Sequence, residues 1–333
     1  MPKQMTRVVL SLLFASATAW SQVSSGSLGG LVTDPNGAAV PGAAIVAKNE
    51  ATGQEITAHT SDGGLYVFNA LPTGVYSLTL EKTGFKKVSR ANIEIRIAQR
   101  LSLDLALEVG DVQQVVNVTG EAPLLETSSA ERGQQFSQKF MDNLPLFTGG
   151  IRNPRAFITY LPGVNAGAGE QSVSGSGGRA QEVLIDGGSA LNVESSAVFN
   201  FPSAEIFSEF KMLQSNYSAE YGRAGGGIEL YVAKSGTNWF HGAMFHNMRR
   251  DIWWANTWQR NAAGLPRAKD RFNETGGVIG GPLIFPKIYD GRNKSFFFYT
   301  YTKDIRPISI GFPVSTLPTP LMKQGNFTEL GTT

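Results

Sequence analysis

The chain contains no cysteine in 333 residues. Disulfides, zinc–thiolate sites, thiol catalysis and a cysteine-linked lipid anchor are therefore excluded. Histidine is scarce, and the pair His241 and His246 lies an odd number of positions apart. On a strand the two would face opposite sides of the sheet, which argues against a shared metal. Charged residues make up only 17% of the chain, below the roughly 25% of an ordinary globular protein. Net charge is +2 with both signs mixed, so there is no basic stripe for nucleic acid. Beyond the N-terminal segment no apolar run reaches the roughly 18 residues of a spanning helix. No nucleophile sits beside a base and no ligands cluster, so the sequence offers neither an enzyme site nor a cofactor or metal site.

Glycine is abundant, at 38 residues, and favours short strands and turns over helices. The first residues read as an export signal over 1–21: Lys3 and Arg7 are basic, Val8 to Phe14 is mostly apolar, and Ala17-Thr-Ala19 offers small residues for cleavage. A second site at Ala19-Trp-Ser21 leaves the mature start between Trp20 and Gln22.

Residues 25–108 carry short strands at regular spacing: Gly29-Thr33, Ala44-Asn49, Gln54-His59, Leu65-Ala70, Gly74-Glu81 and Ile93-Leu107. Turn signals such as Asp34-Pro-Asn-Gly37 and Asp62-Gly-Gly64 separate them, a pattern that predicts a β-sandwich. In the last strand Leu101, Leu103, Leu105 and Leu107 share one face. Asp34 and Asp62 are read as turn initiators before glycine in preference to calcium ligands. The stretches "GGLVTDPNGAAVPGAAIVAKNEATG" and "TSDGGLYVFNALPTGVYSLTLEKTGF" resemble the carboxypeptidase regulatory-like domain. That resemblance implies a transthyretin-like sandwich with no chemistry of its own.

Residues 109–125 read as a linker. Its β-prone segment Val115, Val116, Asn117, Val118 and Thr119 is either a plain edge strand or a segment that adds to another protein's sheet. Residues 126–235 mix short helices with glycine-rich loops. Ser137 to Leu144 is a candidate helix stopped by Pro145, and Pro202 to Phe210 is a second, leading into a strand over Lys211-Gln214. The loop Ser174 to Gly178 lacks the Lys-Ser/Thr ending of a phosphate cradle, and a strand follows it where a helix is required. Glu182 to Ile185 reads as that strand, closed by a tight turn at Asp186, Gly187 and Gly188. A glycine run, Gly225, Gly226 and Gly227, precedes another strand, and Lys234, Ser235 and Gly236 open a second turn. Residues 236–333 hold three candidate strands, Asn238-Arg249, Asn273-Ile284 and Lys294-Ile305, each near the ~10 residues that cross an outer membrane when tilted.

The stretch "FSEFKMLQSNYSAEYGRAGGGIELYVAKSGTNWFHGAMFHNMRR", with "YLPGV" and "VLIDGG", resembles the plug end and first barrel strands of TonB-dependent outer-membrane receptors. The likeness is to the Oar-like subgroup, which also carries a carboxypeptidase-like domain. It implies a mainly β protein: a transthyretin-like β-sandwich over 25–108, an α+β plug domain over 126–235, and the first strands of an incomplete transmembrane β-barrel over 236–333. It places a TonB box near Val115 to Thr119 and plug-motif residues at Asp186, Gly187, Gly225, Gly226, Gly227, Lys234, Ser235 and Gly236. The implied partners are the periplasmic TonB protein, outer-membrane lipid and a transported substrate. Since the chain stops after three barrel strands, it is expected to be either a truncated gene product or an incomplete sequence, and as it stands not to transport. A secreted or surface-attached adhesion protein, and a peptidase-associated processing factor, are the competing expectations.

Overall fold

Regular turn spacing in the first region builds two facing sheets. The computed structural model describes residues 25–110, 115–117, 131–143, 152–166, 171–192, 194–195, 197–198, 201–306 and 317–328. The expected export signal, Pro145, Val118 and Thr119 lie outside them. Strands β1 (Ser25–Thr33), β2 (Ala44–Asn49), β3 (Glu55–His59), β4 (Leu65–Pro72), β5 (Gly74–Glu81), β6 (Lys87–Ile95), β7 (Arg100–Ser102), β8 (Leu105–Ala106) and β9 (Val115–Asn117) form this part. One sheet runs β3-β2-β5-β6-β9; the other runs β4-β1-β7, with β8 also on β1. Leu28, Ile45, Tyr66, Tyr76, Leu78 and Leu80 fill the space between. Tyr66 donates its hydroxyl hydrogen to the Leu103 carbonyl at 2.7 Å, which satisfies a polar tip in an apolar core. The Asp34 carboxylate accepts from the backbone N–H groups of Asn36 and Ala38, so it closes its own turn. At the second turn the bonds come from Ser61, whose hydroxyl accepts from Leu65 N–H.

One expectation for this region is corrected. Ile93-Leu107 is not one strand. The chain turns at 96–99, where Gln99 N–H donates to the Arg96 carbonyl and Ala98 takes φ 50°. It then changes sheets: β6 is antiparallel to β5, whereas β7 and β8 are parallel to β1. Leu101, Leu103, Leu105 and Leu107 are all buried, so the alternation holds across the break. Where it is described, the segment after residue 109 takes the edge-strand alternative. β9 lies parallel on β6, with Val88 opposite Val116, and covers an edge that would otherwise expose open backbone groups.

Expressed alone, residues 25–108 are expected to give a β-type far-UV circular dichroism spectrum and one cooperative thermal transition. A disordered spectrum with no transition would overturn the reading of this region as an independent sandwich.

The second region is built on strands β10 (Arg132–Ser137), β11 (Val164–Ala166), β12 (Gln171–Val173), β13 (Glu182–Ile185), β14 (Gly188–Ser189), β15 (Phe207–Ser215) and β16 (Ile228–Ala233). Its main sheet has the order β10-β15-β16-β13-β14. The helix Gln138–Asn143 forms where expected. The second expected helix shrinks to one 3-10 turn, Ala204–Ile206, and β15 begins already at Phe207. A bulge between Phe207 and Glu209 is the cause. It returns Phe207 and Phe210 to the same face, which imitates helical spacing in the sequence. Phe207, Phe210, Met212 and Tyr231 pack with Phe157 and Ile158 on one side, while Leu213, Ile228, Leu230 and Val232 pack on the other. A sheet covered on both faces reads as continuous apolar runs.

The third region has β17 (His241–Arg250), β18 (Arg271–Pro282), a small hairpin of β19 (Ile284–Phe285) and β20 (Tyr289–Asp290), and β21 (Phe296–Ile305). The large strands lie in the order β17-β18-β21. Met244, Ile279, Tyr299 and Tyr301 are exposed on one face, an apolar band suited to lipid. The described residues fall into two compact units, one comprising 247–273 with 304–333 and the other the rest. In the smaller, the Arg249 guanidinium lies over the rings of Trp254 and Phe272 and pairs with Asp270 at 2.8 Å.

Candidate functional site

The glycines and the turn singled out in the sequence meet around β13 and β16. Asp186 and Gly187 have φ of 48° and 82°, the mirror-image turn that a two-residue hairpin needs. They join β13 to β14, with Ile185 opposite Gly188. The Asp186 carboxylate accepts from Ala233 N–H at 3.0 Å, which ties the turn to the end of β16.

The three glycines before β16 do different things. Gly225 and Gly226 both donate N–H to the Ala180 carbonyl. A Cβ on Gly225 would meet nothing closer than 3.8 Å, whereas one on Gly226 would overlap the Ser176 hydroxyl. Gly227 has φ 108°, and its Cβ would lie 2.8 Å from Met212 Cε and 2.9 Å from the Leu213 carbonyl oxygen. The loop from Ser174 is thus a receptacle for Gly226, with Ser174 and Gly175 turning at positive φ. Lys234 N–H donates to the Ile206 carbonyl. A Cβ on Gly236 would overlap the Phe297 carbonyl oxygen, so the chain after Ser235 runs hard against β21.

The sequence reading missed the charges inside this region. Glu229 is fully buried in β16. Arg155 grips it bidentately, Nε to Oε2 and Nη2 to Oε1, each at 2.8 Å. The Tyr231 hydroxyl adds a bond to Oε2 at 3.0 Å. Burial first, and then the Glu229 charge, push the Tyr231 hydroxyl well above its ordinary pKa, so it stays a donor. Arg152 pairs with Glu205, donates from Nη2 to the Met141 carbonyl at 2.7 Å, and sends its backbone N–H to Glu274 of β18 at 3.3 Å. The one visible signal was an acid inside the apolar run "IELYV", which lipid-like or core burial does not tolerate without a partner.

His241 and His246 are both exposed, and the His246 ring bonds to Thr275 at 2.6 Å. Among the described residues no group of His, Asp and Glu could hold a metal ion. What the arrangement can do is hold a rigid sheet, bonded through Arg152 to a strand with an apolar exposed face.

A family model described as an outer membrane beta barrel domain matches residues 232–333. Another, described as a carboxypeptidase regulatory-like domain, matches residues 27–108. The chain is 25% identical over 318 residues to the TonB-dependent transporter Oar of Myxococcus xanthus, covering 91% of this chain and 29% of that protein. It therefore spans less than a third of the length of that curated relative. Two siderophore receptor structures also match. PirA from Acinetobacter baumannii is 19% identical, covering 46% of this chain and 22% of that one with a TM-score of 0.35. PirA from Pseudomonas aeruginosa is 18% identical, covering 46% and 26% with a TM-score of 0.33. Scores this low carry no structural argument, and the sequence matches bear the assignment. The curated relative is named a transporter, and both PirA structures are named siderophore receptors. With a carboxypeptidase regulatory-like sandwich near one end, outer-membrane barrel strands near the other and likeness to Oar running through both, this mainly β chain is similar to the Oar-like TonB-dependent receptors and resides in the outer membrane.

Proposed function

We propose that the chain is the N-terminal part of an outer-membrane transporter energised through TonB. In this reading residues 126–235 are the plug, 236–333 begin the barrel, and Val115 to Thr119 are the TonB box. The observation that carries it is the bond from Arg152 N–H to the buried Glu274 carboxylate. A globular sheet with its own ion pairs is tied to a strand of the membrane sheet, as a plug must be tied to a barrel. Asp186, Gly187 and Gly225 to Gly227 then serve to compact the plug, and Lys234 to Gly236 to join it to the barrel. No bond in the cargo is broken. A matched outer-membrane barrel domain argues against a freely secreted adhesin.

The box assignment supplies the test. Strand addition depends on backbone N–H groups and an extended chain. A peptide spanning Gly110 to Leu125 is free of the competing pairing with β6 and is expected to bind a TonB C-terminal domain. Val116→Pro removes one donor and fixes φ, and is expected to weaken binding about tenfold or more, since a lost hydrogen bond with its partner left open costs about 1–3 kcal/mol. Val116→Ala keeps the donor and should change little. Titration calorimetry decides: equal binding by wild-type and proline peptides overturns strand addition, and no binding by the wild-type peptide moves the box elsewhere.

A further inference from the structure

Glu209 of β15 holds two partners that are far apart in sequence. Its Oε1 accepts from the backbone N–H of Ile97 at 2.8 Å. Its Oε2 accepts from Gln135 Nε2, also at 2.8 Å. Ile97 belongs to the 96–99 turn of the sandwich, and Gln135 to β10, an edge strand of the second sheet. In sequence, all of 111–130 lies between these two contacts. One carboxylate therefore grips the chain on both sides of that segment.

The contact with the turn is a built seat. Lys211, two residues along β15 and on the same face, donates from Nζ to the Ala98 carbonyl at 2.8 Å. Ile97 is 3% exposed and packs with Leu213, Ile228, Leu230 and Val232. Ala98 reaches its place in the left-handed region, at φ 50°, a conformation that non-glycine residues adopt only when surroundings fix it. Among the described residues β10, by contrast, pairs on one side only, with Gln135 opposite Lys211. Burial raises the Glu209 carboxyl pKa, while the bonds from Ile97 and Gln135 pull it down. The hydrogen bonds thus work against a desolvation cost, and losing one arm weakens the reason for the other to stay.

We propose that Glu209 is a clasp: it couples the seat of the sandwich on the second sheet to the edge pairing of β10, so that the two contacts loosen together. This holds whether or not residues 115–119 are a TonB box.

The coupling is read from variants that touch one contact only, by hydrogen exchange with mass spectrometry on the full chain in detergent. Gln135→Ala removes the β10 arm and is expected to speed exchange of the 96–99 turn several-fold. Ile97→Ala loosens the turn on its seat, which is formed by β15 and β16 and not by β10, and is expected to speed exchange of residues 132–137 likewise. Glu209→Ala removes both arms and is expected to speed both regions about tenfold or more, the scale of a charge-assisted bond. Amides of β2 and β5 should be unchanged throughout. If each single-arm variant alters only its own side, the clasp is wrong. If Glu209→Ala frees one region and not the other, it is wrong whatever the single-arm variants do.

Discussion

Arg155→Ala is expected to destabilise the second sheet by about 3 kcal/mol, the low end of the range for stripping one partner from a buried ion pair. The low end applies because the Arg155 side chain keeps 22% of its surface exposed while Glu229 keeps none, and water screens the pair from that side. The loss is not the strength of the pair. It is the cost of leaving the Glu229 carboxylate buried, with the Tyr231 hydroxyl as its remaining partner in the side-chain network. The double change Arg155→Met with Glu229→Leu removes both charges and fills similar volume. It should recover most of the loss, because well-packed apolar replacements of a buried pair are often neutral or stabilising. Tyr231 would then lose its acceptor, so recovery stops short by about 1 kcal/mol. Chemical denaturation followed by the near-ultraviolet signal would measure both variants. If Arg155→Ala and the double variant are equally destabilised, the charge account fails and packing around residue 155 is the cause.

This network also marks where the sequence stopped being legible. The sandwich could be read almost strand for strand as far as Glu81, since the turns between those strands carry glycine, proline or aspartate and one face is solvated. Ala44-Asn49 and Gly74-Glu81 stand as expected. The strand expected over Ile93-Leu107 failed because period-two alternation continues across a turn that changes sheets. Leu101 to Leu107 keep facing the same core from a different sheet, and periodicity carries no record of strand partner. In the second sheet both faces are buried, so alternation vanishes. The bulge at Phe207 and Glu209 then supplied a false helical period. The barrel strands were found within a few residues, their ends marked by polar loops. The charged residues were unreadable for another reason. Arg152 meets Glu205 and Glu274, and Arg155 meets Glu229, only through the fold, from positions scattered over more than a hundred residues of chain.

The glycine run was legible as a feature but not in its division of labour, and a substitution series separates the roles. Gly225→Ala is expected to change stability by less than about 0.5 kcal/mol, as for ordinary surface changes, because its Cβ has room. Gly226→Ala is expected to cost about 1–3 kcal/mol by overpacking. The main obstacle is Ser176, whose hydroxyl and Cβ crowd the position, with Ala180 Cβ at 3.2 Å a lesser one. Ser176→Gly in the Gly226→Ala background should therefore restore much of the loss, although Ser176→Gly alone destabilises by freeing the loop. Gly227→Ala meets two penalties. The φ of 108° strains any residue with a Cβ, and the Leu213 carbonyl at 2.9 Å is backbone in the middle of a paired strand. Strain of about 1–3 kcal/mol adds to overpacking of similar size, and no side-chain truncation nearby relieves it. Met212→Ala clears Cε but leaves the carbonyl and the backbone strain. Thermal unfolding of the full chain in detergent, monitored by circular dichroism, orders the variants. The expected order of loss is Gly225 least, Gly226 intermediate and rescued by Ser176→Gly, and Gly227 greatest and not rescued by Met212→Ala. A full rescue of Gly227→Ala by Met212→Ala would show that side-chain crowding, not backbone conformation, demands glycine there.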